Sequence, residues 1–422
     1  MENLAVRRYA LLSSVSVPSI VDRCFCIFVI LLPVLQQYAG IGQVISLGEL
    51  VLIPFIVCYL ISDRKELGSH LDRYLFWFYC VSIALSVVGG FAFPYFSMGE
   101  FVTSVSRLVF YGVLILIARK RFSWSWVKSI YLVVVTVAAV YLLAQYAYHF
   151  AFGGYLPIVL DDSLVFYPER SFENWTDRYQ WYFRPSSFFL EPSYYALFTI
   201  PALALFAMDE ESKSPISFGL LILTYVLSSA NSGIIATIVV TAAFVCFRKK
   251  TATDYLVISL VLLVAVVYLP FNRIEWMESA VSRLIDGESI GNRVFRGFIS
   301  YSLMDPYHQI VGVGLNNLGS YLGYCGLETG FDSDGLNYCA SWLQTLNCSG
   351  VIGFLFLALF MSRLFLRCHG HVSRTLCVLL AVVMAYESIL FSYRFAFLLI
   401  LLEGVLRVEN TQRIRCEGGE KS

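Results

Sequence analysis

The sequence predicts an all-α, polytopic integral membrane protein: one membrane domain over residues 1–422 with about twelve transmembrane helices. Three observations predict it. Of the 422 residues, 58% are hydrophobic and only 14% charged, where a soluble domain carries about a quarter charged. The apolar residues run in long blocks, such as 129–151, 192–208, 216–229 and 254–270, and a helix needs about 20 such residues to cross the hydrocarbon core. The short alternating segments of a membrane β-barrel are missing.

Taken in order, the apolar blocks give spans near 24–40, 44–62, 73–91, 103–118, 128–150, 186–208, 215–229, 231–247, 254–270, 338–362, 373–390 and 392–406. Arg7, Arg8 and Arg23 flank the start of the first block. No small-residue cleavage site follows it, so it reads as an uncleaved span. Cytoplasmic loops collect Lys and Arg, which tests the map independently. With the N-terminus inside, the inside segments hold Lys65, Lys120, Lys128, Lys213, Lys249, Lys250 and Lys421, all seven lysines of the chain. Both termini are then cytoplasmic. The weakest joint is the short, uncharged turn at Ser228–Ser232. Were it only a kink, the basic cluster 248–250 would face outward, so two spans are the better reading. The formal net charge of +0 selects no partner, and no nucleic acid is expected.

Two outward segments, 152–185 and 271–337, are too long for connectors, and such loops are commonly functional. In the second, Ile274, Met277, Val281, Leu284 and Ile285 form an apolar stripe ended by Gly287. Ser289 can cap a following helix on which Arg293, Arg296 and Ser300 share a face. Short amphipathic helices of this kind lie at a membrane interface, apolar side down. Cys325 and Cys339 can pair if this loop faces an oxidising compartment. The cysteines inside apolar blocks behave as small apolar residues.

Both outward loops keep arginines and no lysine, among them Arg170, Arg178, Arg273 and Arg283. Arginine binds phosphate bidentately and stays charged, although such residues also pair with neighbouring acids on a wet surface. The stretch Phe183-Arg-Pro-Ser-Ser-Phe-Phe-Leu-Glu-Pro-Ser-Tyr-Tyr is the most informative in the chain. Pro185 can open a helical turn, and Pro192 can restart a helix as its first residue. Broken backbone at membrane depth belongs where it is buried in protein or lines a wet cavity. Glu191 sits at this break, and a carboxylate at such depth is a functional candidate; a structural Arg184–Glu191 pair is the alternative. His308 precedes Val311-Gly-Val-Gly, which lacks the spacing of a phosphate loop. Arg107, Glu387 and Arg394 read equally as helix-packing ion pairs or pocket residues. No metal-ligand motif, nucleophile elbow or nucleotide-binding loop appears.

Three passages resemble the bacterial O-antigen or exopolysaccharide repeat-unit polymerases, the Wzy-type family related to O-antigen ligases. The first, Arg184-Pro-Ser-Ser-Phe-Phe-Leu-Glu-Pro-Ser-Tyr, is similar to the family's Arg-x-x-Ser-x-Phe-x-Glu-Pro signature. The second runs from Ser289-Ile-Gly-Asn-Arg293 through Gly312-Val-Gly314, like the family's large periplasmic loop. The third, Trp342-Leu-Gln-Thr-Leu-Asn-Cys-Ser-Gly-Val-Ile-Gly353, is similar to the stretch that re-enters the membrane after that loop. Related ligases often carry His-Asn ahead of this third passage, where this chain has Cys339 and Ala340, a departure that favours polymerase over ligase.

The resemblance implies a GT-C-like architecture in the bacterial inner membrane, with a large periplasmic loop and the active site facing the periplasm. It implies metal-independent, inverting glycosyl transfer without a cofactor. The partners are an undecaprenyl-diphosphate-linked glycan donor and acceptor and membrane lipid, with a chain-length regulator and a flippase as further partners. Glu191, Arg184 and Arg293 are the expected catalytic residues, and Arg296, Arg178, Tyr194 and His308 the expected substrate contacts. Trp175, Tyr179, Trp181 and Tyr182 read either as sugar-stacking faces or as an interfacial aromatic belt. O-antigen ligase and lipid-linked glycan transporter are the competing readings. Transporters favour paired broken helices and repeats, whereas this sequence offers one strong break, near Pro192.

Overall fold

The computed structural model describes residues 18–41, 45–63, 72–91, 93–161, 164–166, 183–247, 290–326 and 339–419. These are mostly helical. The helices are α1 (Ile20–Leu35), α2 (Leu47–Ser62), α3 (Arg73–Gly90), α4 (Met98–Arg121), α5 (Trp124–Phe152), α6 (Pro192–Met208) and α7 (Pro215–Leu227). They continue with α8 (Asn231–Phe247), α9 (Ile290–Leu303), α10 (Pro306–Val311), α11 (Leu318–Tyr324), α12 (Ser341–Arg367), α13 (His371–Tyr386) and α14 (Tyr393–Gly419). A small antiparallel ribbon, β1 (Ala39–Ile41) with β2 (Ile45–Ser46), departs from an all-α expectation. The expected span 254–270 and the expected stripe Ile274–Ile285 lie outside the described residues.

Among the described residues, α3, α4, α5 and α12 are long and apolar enough to cross a membrane. The apolar helices α2, α6, α7 and α13, and α8 up to Cys246, are shorter. On each of the four long helices at most 39% of the apolar window is buried within the protein. The remainder, such as Val133, Val137 and Val140 on α5 and Leu355, Leu359 and Leu366 on α12, is exposed. An apolar surface of that extent is unstable in water and suits a membrane protein.

Local sequence sets the helix ends. Ser19 and Ser46 each form a capping box, with Asp22 and Glu49 as the reciprocal acids. Pro192 and Pro215 stand at helix starts, where the missing N–H costs nothing. Gly153 ends α5 in the left-handed region. The uncharged joint at Ser228–Ser232 is a turn between two helices. Ser229 has a φ of 48°, and α7 runs back along α6 with Tyr195 Oη 2.7 Å from Thr224 Oγ1 and Thr199 Oγ1 2.9 Å from Tyr225 Oη.

Helix α6 is the axis of the bundle. From Tyr195 to Met208 every residue is buried, and α5, α7, α8, α13 and α14 pack around it. The basic ends of α4 and α12 meet at one end of the bundle and are tied by ion pairs. Arg119, Asp72, Arg367 and Glu403 form a closed ring: Arg119 bridges Asp72 at 3.0 Å and also Glu403, while Arg367 bridges Asp72 at 3.2 Å and Glu403 at 2.9 Å. Beside it Arg121 grips Asp63 through two hydrogen bonds of 2.6 and 2.7 Å.

Helix α12 is broken. Gly350 has φ 60° and ψ −168° within an otherwise helical run. The disrupted carbonyls of Asn347 and Cys348 accept the N–H groups of Val313 and Gly314, both at 3.0 Å. A Cβ on Gly312 would come within 2.3 Å of the Cys348 carbonyl, and one on Gly350 within 2.1 Å of Ile310 O. The Gly-Val-Gly passage is therefore a backbone splint for this break. This corrects the expectation of a single broken helix near Pro192.

Candidate functional site

The segment 183–191, which leads into α6, is not helical; the span expected from residue 186 begins instead at Pro192. Ser187 takes a φ of 59°, which a helical turn opened by Pro185 would not allow. Two buried glutamine amides replace the missing helical hydrogen bonds. Gln145 of α5 accepts from Ser187 N and donates to Ser187 O, both at 2.8 Å. Gln37, just after α1, donates to Phe188 O at 2.7 Å and accepts from Leu190 N. Buried peptide groups must find partners, and here side chains from distant helices supply them.

This irregular backbone sets Arg184 and Glu191. The Arg184 guanidinium donates to the carbonyls of Ser228 and Ser229, at 3.3 and 2.9 Å, in the turn between α7 and α8. Among the described residues it meets these carbonyls instead of pairing with Glu191. Strained left-handed serines thus lie on both sides of the contact, Ser187 and Ser229, and such strain concentrates at functional sites. Glu191 precedes Pro192 as the N-cap of α6 and accepts from Ser193 Oγ at 2.9 Å. Tyr194, one turn on, lies under Arg394 of α14, whose guanidinium carbon stands 3.8 Å from the ring centroid.

The same α7–α8 turn reaches a second arginine. Ser232 Oγ donates to Glu387 Oε1 at 2.7 Å, and the other oxygen of Glu387 accepts from Arg293 of α9. The Glu387 side chain is 6% exposed and that of Arg293 27%. Ser341, at the start of α12, donates to Glu387 O from its amide (3.0 Å) and its hydroxyl (2.6 Å). Arg184, the Ser228–Ser232 turn, Glu387 and Arg293 therefore form one connected polar chain. It lies at the end of the bundle opposite the ion-pair ring, beside the start of the buried axis α6. Glu387 resolves as a helix-packing ion pair.

The expected shared face of α9 points into the protein. Ser300 is buried, Asn347 Nδ2 donates to Gly297 O at 3.0 Å, and Arg296 is close enough to Cys339 for its charge to act on the thiol. Phe295, Phe298, Ile299 and Leu303 on the other face are exposed, as an interfacial helix requires. Cys339 is fully buried and Cys325 exposed, and neither forms a disulfide. Burial pushes the Cys339 thiol up to about 12.

His308 belongs to a different cluster. It is 4% exposed, with Nδ1 on Asp305 and Nε2 2.9 Å from Tyr95 Oη and 3.1 Å from Gly89 O. Tyr321 also donates to Asp305, at 3.1 Å. Burial opposes the Asp305 charge, yet hydrogen bonds from His308 hold its carboxyl below the ordinary range. These contacts lock α10 onto the end of α3. Arg178 lies outside the described residues, as do Trp175, Tyr179, Trp181 and Tyr182. Among the described residues no group of three His, Cys, Asp or Glu side chains could hold a metal ion.

Sequence reasoning missed Gln37, Gln145 and Ser232, and left Arg394 undecided. An amide or hydroxyl in an apolar block is the signal that could have found the first three, since a buried polar group needs a partner. No protein-family model matches the chain, and no curated protein matches it.

Proposed function

We propose that this protein polymerises lipid-diphosphate-linked oligosaccharide repeat units by inverting glycosyl transfer at the far end of the bundle. The observation that carries the reading is the polar chain from Arg184 through the Ser228–Ser232 turn and Glu387 to Arg293, at the same end of the bundle as Glu191 at the start of α6, in a bundle with an exposed apolar surface. The hydroxyl of an incoming repeat unit attacks the anomeric carbon of the growing glycan, and the bond to the lipid diphosphate breaks. Arginines offset the charge growing on the leaving diphosphate, an effect worth several kcal/mol in preorganised sites. Glu191, at the mouth of the site, takes the proton from the attacking hydroxyl. Donor, acceptor and surrounding lipid all reach such a site from the bilayer.

In this reading the chain has twelve spans, residues 254–270 supplying one of them, with a GT-C-like arrangement in a bacterial inner membrane. Both termini and the ion-pair ring face the cytoplasm, and the arginines face the periplasm. What supports the orientation is the concentration of lysine near the ring end, including Lys120 and Lys128. A chain-length regulator and a flippase are its partners. The transporter alternative gains a second broken helix at Gly350. Against it, the disrupted carbonyls of Asn347 and Cys348 are taken by protein N–H groups, whereas a transport cavity leaves them to the substrate or ion.

The test is complementation of a polymerase-null strain, with the surface glycan read on a gel. Wild type should restore a ladder, and Glu191→Gln should collapse it to a single repeat at unchanged membrane abundance. A full ladder from Glu191→Gln would remove Glu191 as the base. No ladder from wild type in a matched host would favour ligase or transporter instead.

A further inference from the structure

Helix α9 turns its two phenylalanines away from the protein. Phe295, Phe298, Ile299, Ser302 and Leu303 are exposed and fall at i, i+3, i+4, i+7 and i+8, a single stripe along the helix. Phe295 is 65% exposed and Phe298 57%, and no charged side chain stands in the stripe. The inward side is polar or small. There Arg293 meets Glu387, Asn347 Nδ2 donates to Gly297 O, and Ala340 N donates to Arg293 O at 3.2 Å. A Cβ on Gly297 would come within 2.6 Å of Leu343 Cβ, so the helix rests on α12 at a residue with no side chain to bury. Hydrogen bonds and an ion pair hold α9 from inside, while the described residues leave its phenylalanines largely uncovered.

The uncovered surface continues beyond α9. Gln309 ties α10 to α9, its amide donating to Tyr301 O and Met304 O at 3.3 and 3.1 Å. On α10 Tyr307 and Ile310 are exposed, and Tyr307 Oη donates to Val88 O at 2.8 Å. Val87, Val88 and Phe91, at the same end of α3, are exposed as well. Because α3 is long and apolar enough to cross a membrane, the patch adjoins a face suited to lipid. An uncharged aromatic stripe at that level fits the boundary between acyl chains and headgroups.

We propose that the outer stripe of α9 is seated in this acyl–headgroup boundary, and that the lipid contact keeps α9 docked with Arg293 on Glu387. The partner is the phospholipid layer, recognised through its apolar chains and without a preferred headgroup. Arg293 and Phe295 lie within one turn of the same helix, so lifting the stripe out of lipid also draws the arginine from its partner. Such seating needs a membrane around the bundle and is independent of glycosyl transfer.

The test puts benzoylphenylalanine in place of Phe298 in the full chain, reconstituted in phosphatidylcholine liposomes, and reads the photoproducts by mass. A phospholipid adduct is expected. Hydrogen exchange at the Ala340 amide, which donates to Arg293 O, then reports the docking of α9. Phe298→Ser should raise exchange there roughly 10- to 100-fold, as loss of one covered aromatic side chain predicts, and Phe298→Leu should restore most of the protection. The amide of Phe122, next to the basic end of α4, should keep its wild-type rate. A crosslinked dimer would put a second copy of the chain on the stripe, and no adduct would leave it in water; each overturns the proposal. So does unchanged Ala340 exchange in a folded Phe298→Ser variant. If that variant fails to fold, the photoproduct still decides between lipid, a second copy and water. A lipid adduct in a chain that makes no ladder would refute the polymerase reading and leave the lipid seat in place.

Discussion

The two ends of the bundle use arginine in opposite ways. At the ring end Arg119 and Arg367 meet Asp72 and Glu403, so four chain segments are tied by full charges. At the far end Arg184 meets two backbone carbonyls and Arg394 an aromatic face. The first arrangement cancels charge and leaves little for a ligand. The second, in its described contacts, sets the guanidinium against carbonyl dipoles and a ring face in place of carboxylates. Arg293, paired with Glu387, is the intermediate case. The difference teaches that an arginine facing carboxylates acts as a staple between segments, whereas one facing carbonyls or a ring is positioned by geometry alone.

The largest effect should come from breaking the ring. Glu403→Ala leaves Arg119 and Arg367 facing Asp72 alone, and removing one partner of a buried pair costs about 3–5 kcal/mol. Thermal melting in detergent should fall sharply, and membrane abundance with it. An unchanged melting point would mean the ring is ornamental.

Arg184→Ala should do the reverse, cutting polymer yield about 100- to 1,000-fold with a much smaller melting shift. If melting fell as far as in Glu403→Ala, the contrast between the two ends would be lost. Gly350→Ala sharpens the comparison by testing whether the far end is held by backbone. Forcing a side chain into that conformation, 2.1 Å from Ile310 O, should cost about 1–3 kcal/mol. The readout is melting, with faster hydrogen exchange at Val313 and Gly314. Full protection at those amides would show that α12 accommodates the change without losing the splint.

The smallest effect is with acid. Hydrogen bonds from Arg121 hold the Asp63 carboxyl below its usual range, and burial of Asp72 is outweighed by Arg119. A lowered folded value contributes stability above the ordinary carboxylate range and loses it as pH falls through the folded value. Melting should therefore be flat near neutrality and decline below about pH 4. Asp63→Asn should flatten that decline; an undiminished acid slope would place the sensitivity elsewhere.

Much of this fold was legible in the sequence, and for physical reasons. Long apolar blocks are local signals, so the helix around 73–90 and the start at Pro215 agree with expectation, and Pro192 is the first residue of its helix as its chemistry allows, although the span was expected from residue 186. The irregular backbone beside Arg184 and Glu191 was legible at Pro192, whereas the helical turn expected after Pro185 does not form. The rest depends on long-range partners. Gln37 and Phe188 are 151 positions apart, and nothing near either residue announces the other. Gly350 sits in an apolar run where a small residue looks ordinary, and only its left-handed backbone reveals the break. Cys325 and Cys339 looked pairable by loop position, but the burial of one and exposure of the other separates them.

The two glutamines have a consequence for how the site operates. Each amide holds the 187–190 backbone by donor and acceptor at once, so Arg184 and Glu191 are mounted on a frame that cannot slide in register. Ordering of the arginine and the carboxylate is completed when the chain folds, so under the proposed function little of that cost would remain for a ligand. If the proposed activity holds, a frame of this kind acts as a fixed jig, and the choice of substrate follows from the shape of a rigid frame, not from a closing motion.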